Sequence, residues 1–137
     1  MVDAASLARL ALFADLGRAQ LESVAHMLDE ERHPRDARVL REGLAGNGFY
    51  VILDGEASVK IAGEERARLH AGDFFGEVSI LTGDPAGADV VVASEDLNVA
   101  VLPEPELRPL LLEHPTVAVR MLEAGARRLQ SANLWGS

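Results

Sequence analysis

A chain of 137 residues, 48% hydrophobic and 26% charged, has the size and composition of one folded domain and excludes intrinsic disorder. Its formal charge of -9, from 22 acidic against 13 basic residues, is the wrong sign for a surface that gathers nucleic-acid phosphates. The lack of cysteine excludes disulfides, thiolate nucleophiles and cysteine-ligated zinc. No apolar run approaches the ~18 residues of a membrane helix. Residues 1–10 carry Asp3 and lack the basic start of a secretion signal, so a cytoplasmic location is expected.

Leu7, Leu10 and Ala11 recur at helical spacing, and so do Leu21, Val24, Ala25 and Leu28. Asp15 and Gly17 interrupt the period between them, which predicts two helices meeting at a turn. Pro34 ends this region, because its ring cannot continue a helix, and the N-terminal helices are expected over residues 1–35. Arg32, His33, Arg35 and Arg38, and later Arg127 and Arg128, read as solvated basic faces.

The pattern changes over residues 36–103. Val39 and Leu40 form a short apolar piece, a glycine-containing loop follows, and residues 49–53 are β-rich. Asp54-Gly55 separates this run from the alternating Ala57, Val59 and Ile61, a strong hairpin signal. A turn at residues 62–65 precedes the alternating Ala67 and Leu69 and a further turn at residues 71–73. Residues 89–93 and 97–102 are two more apolar strands. Turn signals this closely spaced predict an antiparallel roll rather than alternating βαβ units. Residues 104–137 are helical again, with Leu107, Leu110 and Leu111 in one stripe and Pro115 suited to the first turn of the last helix. That helix carries Ala118, Leu122, Gly125, Leu129 and Ala132 on one side, with Val117, Met121 and Ala124 widening the apolar face. The whole reads as one mainly β domain: a jelly-roll-like β-roll, or double-stranded β-helix, between N-terminal helices and a C-terminal helical pair.

Chemistry concentrates in residues 72–93, GDFFGEVSILTGDPAGADVVVA. A strand ends, Gly76 opens a helix of about one turn, a Gly/Pro loop follows, and a strand resumes. Such a short helix points unpaired N–H groups and a positive dipole end toward the roll, a geometry suited to an anion. A bend that closes a barrel corner would use the same residues.

This segment resembles the phosphate-binding cassette of the cyclic-nucleotide-binding domain family, whose pattern is roughly F-G-E-x-[AS]-x-L, a loop, then Arg-[SAT]-A-x-V. Phe75, Gly76, Glu77, Ser79 and Leu81 match the first half; Ala88 and Val90 match the second. LFADL near the start, REGLAGNGFYVILDGEASV and HPTVAVRMLEAGARRL extend the resemblance over nearly the whole chain. The resemblance implies a non-catalytic regulatory sensor with a ligand site at Gly76, Glu77, Val78, Ser79, Ala86, Gly87 and Ala88. It implies cAMP or another cyclic nucleotide as ligand and requires no cofactor. Glu77 would accept from ribose hydroxyls, or else only cap its helix. The family's arginine position holds Ala86, and the next holds Gly87. A charge-assisted contact there is worth roughly 1.5–3 kcal/mol, so the phosphate site is expected to be weakened by about one to two decades. The alternative is a degenerate docking or dimerisation unit that binds no nucleotide.

Arg38, Arg66 and Arg68 could reach the vacant phosphate position from another strand, but exposed positions on alternating strands are the expectation. His26, His33, His70 and His114 lie apart and form no HxH pair, so no metal site is expected. No Ser–His–Asp set can be assembled, and Ser79 lies outside any nucleophile elbow. Trp135 would be either a lid over a base or a frayed end, with the frayed end expected. Expected partners are a small-molecule nucleotide and a second copy or protein partner on the last helix. Neither DNA nor membrane binding is expected from a chain that ends without a helix-turn-helix.

Overall fold

Inward and outward alternation sets the architecture. In the computed structural model, which describes residues 2–136 and the side chains of residues 2–131, the strands are β1 (Asp29–Pro34), β2 (Arg38–Leu40), β3 (Gly48–Asp54), β4 (Ala57–Ile61), β5 (Glu64–Leu69), β6 (Phe74–Phe75), β7 (Asp89–Val92) and β8 (Asp96–Pro103). They form two four-stranded antiparallel sheets, ordered β1-β8-β3-β6 and β2-β7-β4-β5, and this is the expected β-roll.

β3 is buried on both faces, which explains its unbroken apolar run. Tyr50 and Ile52 face Phe75, Val90, Val92, Leu97 and Val99 between the sheets. Phe49 and Val51 face the helices, where Leu7, Phe13, Val24, Leu107, Leu110 and Val117 complete a second core. The helices are α1 (Ala4–Ala8), α2 (Arg18–Met27), α3 (Glu77–Thr82), α4 (Leu107–Glu113) and α5 (Pro115–Gly136), with Pro115 at the first position of the last, as anticipated. None of the described helices is long and apolar enough to cross a membrane.

Two local expectations are corrected. The helical region predicted to reach Pro34 stops at Met27, and residues 29–34 form β1, antiparallel to β8. Five of its six residues are exposed, so its sequence carries no apolar alternation; it is held through its backbone and by Arg32 to Asp96 (3.1 Å). Glu64 and Glu65, expected in a turn, begin β5, and the turn itself is Ala62 and Gly63 at positive φ.

The broad apolar face expected on α5 divides in two: Val117 and Met121 face the core, at 0% and 6% exposure, whereas Leu122 and Leu129 are 72% and 63% exposed. Trp135 lies outside the residues whose side chains are described.

Candidate functional site

Gly76 starts the site because no other residue fits its backbone. Its φ of 95° is left-handed, and a Cβ there would overlap the carbonyl oxygen of Gly48 while meeting Tyr50 Cδ1 at 3.4 Å. The chain therefore turns tightly off β6, where Phe75 stacks on Tyr50 with ring centroids 4.8 Å apart, and enters α3 at Glu77. Gly83, also left-handed, closes the helix after six residues.

Glu77 is the one buried acid among the described residues. Burial pushes its carboxyl above the usual range, opposed by the positive charge of Arg128. Arg128 arrives from α5, 51 residues away in sequence, and places Nη1 3.5 Å from Glu77 Oε2. Its Nη2 donates to the Phe74 carbonyl at 2.6 Å, and its guanidinium lies 4.5 Å from the Phe74 ring centroid. The expectation of a solvated basic face fails at Arg128, whose side chain is 39% exposed. Buried carboxylates are paired or protonated, so an unpartnered Glu77 was the only signal in the sequence that such a cation exists.

Elsewhere the cassette is tied to itself, to the loop before β3 and to α4, where Arg108 Nη2 donates to the Leu81 carbonyl at 3.0 Å. Ser79 Oγ donates to the Asp84 carbonyl at 2.7 Å. Ala86 is 5% exposed, its N–H donating to Leu44 O (2.9 Å) and its carbonyl accepting from Gly43 N (2.8 Å). Asp89 Oδ1 accepts from Glu42 N at 2.8 Å, so this carboxylate anchors the loop. Val78 is exposed at 65%, Gly87 is exposed, and Ala88 is half-buried. Thus Gly76, Glu77 and Ser79 share one helix end, Ala86 lies under the residue 43–44 loop, and Val78 points to solvent.

The replacement cations do not converge here. Arg68 lies 2.8 Å from Glu65 and 3.9 Å from Glu56, and Arg66 lies 3.9 Å from Glu64. Arg38, on β2, is exposed. Among the described residues no group of three or more His, Asp or Glu is placed to hold a metal ion. A groove of about 720 Å³ opens between Asp3, Arg9, Leu53 and Asp73, beside α1 rather than at α3.

A two-sheet antiparallel roll with a glycine-opened helix set into it and helices at both ends is a helix-flanked β-roll. The model of the cyclic nucleotide-binding domain matches residues 30–114. A cAMP-dependent protein kinase regulatory subunit of Yarrowia lipolytica is 36% identical over 107 residues, covering 77% of this chain and 28% of that protein. A cGMP-dependent protein kinase of Caenorhabditis briggsae is 30% identical over 102 residues, 70% of this chain and 14% of that one. Among solved structures, a cyclic nucleotide-binding domain of Methylobacillus flagellatus is 28% identical with a TM-score of 0.78, covering 93% of this chain and 77% of that one. The catabolite activator protein of Thermus thermophilus also superposes with a TM-score of 0.78, at 26% identity, over 90% of this chain and 60% of that chain. The chain belongs to the cyclic nucleotide-binding domain family. It spans about a quarter or less of the length of these two curated relatives.

Proposed function

We propose that this domain is a non-catalytic regulatory module that takes a nucleotide-type small molecule at residues 76–88 and reports its occupancy through α5. The phosphate site is weakened because Ala86 stands where the family's cassette carries arginine. The observation that carries this reading is Arg128, which binds Glu77 and the Phe74 carbonyl at once and so links the last helix to the ligand carboxylate. A ligand whose hydroxyls engage Glu77 competes with that guanidinium, and a ligand moves such an equilibrium by its differential affinity for the two states. Relatives named as regulatory subunits of cyclic-nucleotide-dependent kinases support the ligand class. Hydrogen exchange of the α5 amides tests the link: saturating ligand changes protection around Arg128, and bound ligand with unchanged protection refutes the reading.

A second reading, a dimerisation unit, is favoured by one observation. Val119, Leu122 and Leu129 are 54%, 72% and 63% exposed, and with Ala126 they line α5 at coiled-coil spacing. A second copy packed along this stripe would cover it. Sedimentation equilibrium of the full chain and of Leu122→Asp checks this: a dimer that the substitution dissociates supports it, and a wild-type monomer at high concentration refutes it.

A further inference from the structure

We infer that the preferred ligand of this site is an uncharged nucleoside rather than a cyclic nucleotide. The inference rests on the reading of residues 76–88 as the ligand site and names the chemical class that this site would take.

The first ground is charge. Residues 72–93 contain Asp73, Glu77, Asp84 and Asp89 and not one Lys, Arg or His. Asp73 accepts from His70 N (2.8 Å) and lines the groove beside α1, which leaves Glu77, Asp84 and Asp89 in the segment a phosphate would enter, where like charge opposes it most if water is excluded. The helix end of α3 offers backbone N–H groups, but its first residue is itself the acid Glu77.

The second ground is that positions 79, 86 and 87, among the described residues, offer the phosphate no side-chain donor. Position 86 carries a methyl group, 5% exposed, held beneath residues 43 and 44 by two backbone hydrogen bonds. The Ser79 hydroxyl has one proton, and that proton is directed at the Asp84 carbonyl, 2.7 Å away. Gly87 has no side chain. Two cations reach this segment from outside it: Arg128 is turned to Glu77, Phe74 O and the Phe74 ring, and Arg108 of α4 donates to Leu81 O at 3.0 Å.

The third ground is what the site retains. Glu77 is a buried acceptor at the start of α3, suited to a vicinal hydroxyl pair. Sites built to hydrogen-bond hydroxyls discriminate by leaving polar groups unpaired when the hydroxyl is absent. A ribose bearing free hydroxyls satisfies Glu77 without bringing a phosphate.

Calorimetric titration of the full chain with adenosine, guanosine, cyclic AMP and cyclic GMP decides the matter. At least one nucleoside is expected to bind as tightly as, or more tightly than, its own cyclic phosphate. Glu77→Gln, checked for folding by circular dichroism, is expected to weaken that binding by about tenfold or more. A cyclic nucleotide that binds more tightly than its nucleoside overturns the inference while leaving the family site intact. Nucleoside binding that Glu77→Gln leaves unchanged overturns it by placing the ligand elsewhere. No binding of any of the four at about 1 mM overturns the inference and the proposed function together.

Discussion

Replacing Arg128 with alanine separates a strut from a competitor. The bond from Nη2 to Phe74 O, at 2.6 Å, is charge-assisted and worth roughly 1.5–3 kcal/mol when dry. With 39% of the side chain exposed, solvent screening moves it toward the lower end. The contact over the Phe74 ring adds about 0.5 kcal/mol. The expected loss of folding stability is therefore about 2 kcal/mol, read as a lower urea midpoint at unchanged slope. Ligand affinity should move the other way. If Arg128 holds Glu77 against an incoming hydroxyl pair, releasing about 1–2 kcal/mol of that hold tightens nucleoside binding about five- to thirtyfold. A less stable variant that binds better is a signature no purely structural contact produces. Equal or weaker binding by Arg128→Ala, with the stability loss intact, would refute the competition.

Two further outcomes follow from the same turn. Gly76→Ala should cost about 3 kcal/mol or more, since the left-handed backbone alone costs about 1–2 kcal/mol and the Cβ must also displace Gly48 O; a urea midpoint near wild type would contradict the backbone argument. The Glu77 carboxyl, raised by burial above its ordinary 4.5 and pulled back by Arg128, binds its proton more tightly in the folded than in the unfolded chain. That stabilisation is complete below the ordinary value and is lost as pH rises through the raised one. Glu77→Gln removes the titration, so wild type should lose stability relative to the variant as pH rises from acid toward neutral, and a pH-independent difference counts against it.

What could be read from the chain, and what could not, divides along contact range. The Asp54-Gly55 hairpin was legible because its constraint is local: φ at Gly55 is 100°, a left-handed turn that glycine takes without strain. The run from Phe75 to Leu81 was legible because Gly76, Glu77 and α3 are adjacent in sequence. β1 was hidden because a polar edge strand is defined by its partner, β8, and not by its own pattern. Which part of the apolar face of α5 meets the core was not legible, because both sides of that helix are apolar and only packing distinguishes Met121 from Leu122. Arg128 was invisible for a related reason: a basic residue late in a helix is solvated by default, and nothing near it in sequence names Glu77 as its partner. The substitution at Ala86 was plain in the sequence, but its enclosure by Gly43 and Leu44 was not.

Positions 86 and 128 bear on the same charge balance. A cassette that holds its own arginine neutralises ligand and carboxylate from one strand; this one contains acids alone and borrows its cation from α5. The charge state of the site then depends on where the helix sits, and ligands of different charge should act on α5 with opposite sign. A nucleoside that occupies Glu77 with hydroxyls frees the guanidinium, so the α5 amides near Arg128 exchange faster. A ligand bearing a phosphate supplies a second anion for the same guanidinium, so the helix is retained and those amides exchange more slowly. Hydrogen exchange with adenosine and with cyclic AMP, each at saturation, measures both arms on one protein. Changes of the same sign for the two ligands would mean that α5 senses occupancy alone, and the borrowed-cation argument would fail.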